Sequence, residues 1–265
     1  MRQIVRWTVW QRRWSTFWWS LAVFGFIWLT LAVYPSFKDA GSALEKSFQN
    51  LPDAALALFG GSADFFSPVG YLNSQIFFLL LPLILTMLAV ALGASLIARE
   101  EQDTTLETLL ARPISRNNLL TAKIIAGTVV LAIVSLVGLL TTVVGARIYD
   151  LEAVPSSAVA LASFNSFLLA YATGAIAFVL AATGRARSAA IGIGAFIGLG
   201  GYVIDSLAGT VHWLAGPSKA FPFHYFQSEA ILRQTYDWSN ALFFVAILSV
   251  CGVFSYVAFR RRDLG

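Results

Sequence analysis

Charge is scarce in this chain: aspartate, glutamate, lysine and arginine together supply 12% of its 265 residues. Soluble domains carry roughly twice that share, about 25%. A water-facing surface of this size could not be covered, and a soluble globule is excluded. Cysteine is scarcer still. Cys251 stands alone inside an apolar run, so no intrachain disulfide or cysteine-based metal cluster can form, and packing is its expected role. The two histidines, His212 and His224, fall in one connecting segment with no His-Glu-x-x-His pattern, which argues against a zinc peptidase. No histidine lies inside a spanning run, which argues against Ser/His hydrolysis within the bilayer. No Gly-x-x-x-x-Gly-Lys-Ser/Thr occurs, so the chain lacks that cradle for nucleotide phosphates. No internal repeat is visible, and an inverted-repeat secondary transporter gains no support. The sequence thus nominates no catalytic residue and no metal ligand.

What the chain has in abundance is apolar surface, with 58% hydrophobic residues and a mean hydropathy of +0.73. Crossing about 30 Å of hydrocarbon takes ~20 helical residues. Six stretches are long enough, near 17–34, 75–98, 119–145, 158–182, 188–208 and 240–259. They predict one all-α integral membrane domain over 1–265. The first run is too long, and too rich in Trp and Phe, for a cleavable signal, so it reads as a retained span. Pro82 inside the second run predicts a kink. The net charge of +4 does not point to nucleic acid, because the basic residues sit at the ends of the apolar runs. Thirteen of the eighteen lysines and arginines fall on the side holding both termini, including Arg2, Arg6, Arg12, Arg13 and Arg260–Arg262. That side is expected to be the cytoplasmic face of a bacterial plasma membrane.

The polar margins carry patterns of their own. In residues 1–14, Trp7, Trp10 and Trp14 form one helical stripe while Arg2, Arg6 and Arg13 form another. This suits either juxtamembrane anchoring or a helix lying flat on the leaflet, and both place it at the interface. The outer connections 35–74 and 210–239 are too apolar for free loops and predict short helices on the outer leaflet before the second and sixth spans. Asp205, near the outer end of the fifth span, is either a functional intramembrane acid or simply hydrated. Gly194 and Gly198 fit the small-xxx-small pattern of close helix packing.

Four acids and four bases crowd the inner connection 98–123. Thr104 or Thr105 can cap a short helix, and Glu107 follows Thr104 at the spacing of a capping box. Leu106, Leu109 and Leu110 would share a face, and Arg112-Pro113 would end the helix. A solvated charged loop and a helix for docking into a partner's groove both fit these residues. The order Glu100-Glu101-x-x-Thr104-Thr105-Leu106-Glu107-x-Leu109-Leu110-Ala111-x-Pro113-Ile114-Ser115-Arg116 resembles the signature of ABC-2 type permeases, the membrane subunits of a class of ABC transporters. Thr104 stands where that family commonly has glycine. The segment Phe65-Phe66-Ser67-Pro68-Val69-Gly70-Tyr71-Leu72 and the closing Arg260-Arg261-Arg262-Asp263-Leu264 are similar to features of a bacterial subgroup.

The resemblance implies that residues Glu100 to Arg116 hold a coupling helix contacting a separate ATP-hydrolysing subunit, present in two copies and carrying the ATP and magnesium. It implies that a second permease copy pairs with this one, a homodimer by default, and that the second and fifth spans line the dimer interface and pathway. Arg185 and Arg187 in the short connection between spans four and five are either positive-inside arginines or a second docking point. The expected activity is ATP-driven export of a hydrophobic or amphipathic compound such as a drug, antibiotic or lipid. An ATPase-coupled assembly factor, a non-transport membrane enzyme and a secondary transporter are the rival classes.

Overall fold

A computed structural model of the chain describes residues 1–39, 52–58, 67–97, 115–149, 151 and 153–261. Among these residues the secondary structure is entirely helical. In hydrocarbon no water is available to satisfy an open backbone, so each crossing must close its own hydrogen bonds. Six helices are long and apolar enough to cross a membrane. In chain order these are α2 (Arg13–Asp39), α4 (Pro68–Ser95), α5 (Arg116–Ile148), α6 (Ser156–Ala182), α7 (Arg187–Ala208) and α10 (Ser239–Arg261). Smaller helices fill the margins: α1 (Arg2–Gln11), α3 (Asp53–Leu58), α8 (Ala215–Ser218) and α9 (Ser228–Leu232). The expected outer helices before spans two and six therefore exist. The second connection also holds 3₁₀ turns at His212–Leu214 and Pro222–Tyr225.

Local chemistry places the helix ends. Ser67 caps α4, its Oγ accepting from the Gly70 amide at 3.0 Å, and Pro68 occupies the first turn, where no amide is needed. This cap starts α4 ahead of the apolar run near residue 75. Ser115 caps α5 in the same way, accepting from the Asn118 amide at 3.2 Å. α6 ends at a tight turn whose Gly184 has φ 87°, a left-handed conformation natural to glycine. Pro82 is accommodated by a π-helical stretch, Asn73–Leu80, immediately before it. The wider turn relieves the clash between the proline ring and the preceding carbonyls. A second π-helical turn, Phe196–Gly200, interrupts α7.

The bundle is built around α4 and α6. Eleven of the fifteen residues of Leu81–Ser95 are buried, whereas α10 buries only Phe244, Ser255 and Phe259. Small residues set this order. A Cβ added to Gly93 would collide with the carbonyl oxygen of Gly174, and one added to Gly174 would lie 2.8 Å from the carbonyl oxygen of Ala89. α5 approaches the other side of α4, with the space beside Gly127 taken by Leu96 and that beside Gly138 by Leu81. α2 lies along α5 through Val23, Ile27 and Leu31, all fully buried at helical spacing. Hydroxyls within the spans bond back to their own helix, as Thr142 does to Gly138 O at 2.8 Å and Ser166 to Ala162 O at 2.9 Å.

Gly174→Val is expected to destabilise the detergent-solubilised protein by about 1–3 kcal/mol, because the obstacle is backbone and cannot rotate away. Gly25→Ala, with nothing within 4 Å of the added Cβ, should leave the thermal midpoint unchanged. Equal midpoints for the two variants would refute this account of the core.

Candidate functional site

α2, α5 and α7 start, and α4, α6 and α10 end, at one end of the bundle, here the basic end. The charged segment between α4 and α5 emerges there. Of its predicted docking residues, Glu100, Glu101, Thr104, Thr105, Leu106, Glu107, Leu109, Leu110, Arg112 and Pro113 lie outside the described residues. Arg116 is the first residue of α5. What is described is how both flanks of that segment are held. Arg12 donates from Nη2 to Ser95 Oγ at 2.8 Å, tying the break between α1 and α2 to the last residue of α4. Lys123, 2% exposed in the second turn of α5, donates from Nζ to Thr8 Oγ1 of α1 at 3.1 Å. A buried ammonium is costly without hydrogen-bond partners, so this contact is a strong constraint on where α1 lies. Thr121 and Tyr256 share a hydroxyl bond of 2.6 Å that joins α5 to α10. The helix expected over 1–14 breaks at Arg12, with φ −96° and ψ 4°. That break aims the Arg12 guanidinium at α4.

Arg185 and Arg187 reach the same end through the Gly184 turn. Arg185 is exposed, and its amide donates to Leu180 O at 3.2 Å. Arg187 opens α7, half-buried, with a buried Nε that has no hydrogen-bond partner among the described residues.

The predicted packing glycines of α7 face α4 within the same chain. A Cβ at Gly194 would lie 2.8 Å from Val90 and one at Gly198 would lie 2.5 Å from Thr86. The other side of α7 is exposed along Ile193, Phe196, Leu199 and Val203, and Met87 of α4 is half exposed. A half-open pocket of about 160 Å³ lies between α4, α5, α6 and α10, with Thr128, Tyr171, Cys251 and Gly252 among its lining. That is close to the roughly 150 Å³ of an apolar cavity known to take one benzene ring. A drug-sized compound needs several times more.

At the opposite end the short connections grip the spans. Asp205 Oδ1 meets His224 Nδ1 at 2.8 Å, fastening the end of α7 to the Pro222–Tyr225 turn. The Tyr202 hydroxyl donates to Leu58 O of α3. Phe78, Tyr202 and Phe223 form a ring cluster with centroids 5.2–6.2 Å apart. The Ser228 hydroxyl donates to Asn73 Oδ1 at 2.7 Å, both residues being buried, so α9 is bonded to the π-helical part of α4. Burial also pushes the Tyr236 hydroxyl above its usual pKa. Sequence reasoning singled out Asp205 but not its partner. His224 is 19 positions away with no periodic relation to it, and only the fold of the connection joins them.

The arrangement combines tied helix ends with an apolar lateral face, as a membrane-spanning bundle requires. The chain belongs to the ABC-2 family: the family described as ABC-2 family transporter protein matches residues 11–264. It is therefore a multi-pass membrane permease of an ABC transporter, a transport subunit of a kind that associates with an ABC ATPase. No curated protein matches the chain.

Asp205→Asn and His224→Ala should each lower thermal stability, and the double variant should lose less than the sum, with a coupling of about 1 kcal/mol. Strict additivity would show that the contact does not hold the two elements together.

Proposed function

We propose that this permease exports a hydrophobic or amphipathic compound, drug, antibiotic or lipid, when two ATPase subunits bind ATP and magnesium and dock on its basic end. Membership of the ABC-2 family supports the ATPase-driven class of mechanism. The observation that carries the reading is the double anchorage of the charged segment's flanks. Ser95 and Lys123 are both tied to α1 and its hinge, so a displacement of residues 98–114 is passed to α1, α4 and α5 together. Glu100, Glu101, Thr104, Thr105, Leu106, Glu107, Leu109, Leu110, Arg112, Pro113 and Arg116 supply the docking surface. Arg185 and Arg187 lie at the same end as a second contact.

The pathway forms between two copies of the chain, in the simplest case a homodimer. The pocket between α4, α5, α6 and α10 of one copy, about 160 Å³, is too small for a drug-sized cargo. The exposed stripe Ile193, Phe196, Leu199 and Val203, with Met87 beside it, is the surface available for pairing through α4 and α7. The excess of lysine and arginine at the basic end supports a cytoplasmic placement of that end and both termini in a bacterial cell.

Glu107→Lys combined with Leu109→Asp is expected to abolish co-purification of the ATPase while leaving the permease folded in the membrane. Retention of the ATPase together with wild-type substrate-stimulated ATP hydrolysis would sink the docking assignment.

A further inference from the structure

A groove of about 1070 Å³ runs beneath α1 and the start of α2, where they face α5. Its lining changes character along its length. Arg2, Arg6 and Arg13 recur along its α1 and α2 side, with Trp10 among them. Thr16, Phe17 and Ser20 continue the wall along α2, and Ile125 and Ile133 form the opposite wall on α5. Those two isoleucines are eight residues apart, roughly 12 Å along a helix. The three arginines are exposed. Among the described residues no carboxylate pairs with any of them, and the first 38 residues contain no Asp or Glu at all. The Arg13 guanidinium rests over the Trp10 ring at 3.7 Å, which restrains its position without neutralising its charge. Lys123 bonds Thr8 of α1 and Arg12 bonds Ser95, so the groove's α1 wall is anchored.

We infer that this groove is a binding site for one anionic phospholipid of the leaflet at the basic end, with its headgroup along the row of Arg2, Arg6 and Arg13 and a chain along Phe17, Ile125 and Ile133. Three cationic forks suit phosphate oxygens. The groove holds far more than a free phosphate needs, and its apolar extension has no use for one. Among the described residues no acid lines the groove, so the matching negative charge is assigned to the lipid. The anionic lipids of the cytoplasmic leaflet match the sign and the depth. Occupancy would fasten α1 against α5 and stiffen the unit that flanks residues 98–114. The site is independent of the cargo proposed above.

The test uses the full chain in nanodiscs of dioleoyl phosphatidylcholine with increasing phosphatidylglycerol, and native mass spectrometry to count retained lipid. The wild type should retain one phosphatidylglycerol molecule in preference to phosphatidylcholine. Affinity should fall about fivefold for each of Arg2→Gln, Arg6→Gln and Arg13→Gln. Arg260→Gln with Arg261→Gln removes charge at the same end of the bundle outside the groove and should change retention less than twofold. Ile133→Trp fills the apolar part without altering charge and should also release the lipid. It decides the matter if the arginine variants fail to fold. Equal losses from Arg260/Arg261 and from the groove arginines would reduce the effect to net charge and overturn the site. So would full retention in Ile133→Trp. Loss of ATPase coupling with lipid retention intact would count against the transport reading alone.

Discussion

Where Gly93 meets Gly174, the backbones of α4 and α6 come so near that a carbonyl oxygen occupies the space a side chain would need. Lipid offers no hydrophobic drive for helices to associate, so close van der Waals packing between small residues has to supply it. The other contacts of the bundle are arranged around this one. α5 closes on α4 at Gly127 and Gly138, α7 closes on it at Gly194 and Gly198, and α2 packs along α5 at Val23, Ile27 and Leu31 and meets α4 through Tyr34, Phe37 and Tyr71. α10 stays on the periphery with three buried residues. α4 is therefore held on several sides while its two ends remain the points where outside forces enter.

Both ends are tied to connecting segments by polar contacts. At the basic end Arg12 grips Ser95, and Lys123 reaches Thr8, so α1 is joined to both helices that flank the charged segment. At the opposite end Asn73 is bonded to Ser228 and Phe78 stacks in the ring cluster of Tyr202 and Phe223. Between these anchors α4 carries the π-helical stretch that accommodates Pro82, and α7 carries another at Phe196–Gly200. Wide helical turns adjust more readily than regular α-helix. α4 thus carries its irregular stretch between two anchored ends.

Much of this was legible in the sequence because lipid imposes a simple rule. Apolar runs of sufficient length must be helices, and the six runs became six helices. The caps at Ser67 and Ser115 emerged only with the structure, and the capping box expected at Thr104 and Glu107 lies outside the described residues. The notion of a docking helix rested on residues 98–114, which the structure does not describe. Resemblance to a family had singled that segment out, and the match over residues 11–264 bears out the family itself.

Side-chain partners across the fold were not legible. Lys123 reads in sequence as one more positive charge at a membrane edge, yet it is buried and bonded to a residue 115 positions away. Asp205 reads as an isolated acid, and the structure gives it His224. The stripe Arg2, Arg6 and Arg13 was visible as a periodicity, but the wall of α5 that turns it into a groove was not. Local composition decides what each segment must be in lipid, since every crossing has to satisfy its own backbone. Which helices touch, and which charges find a partner, depends on contacts between distant segments that no periodicity encodes.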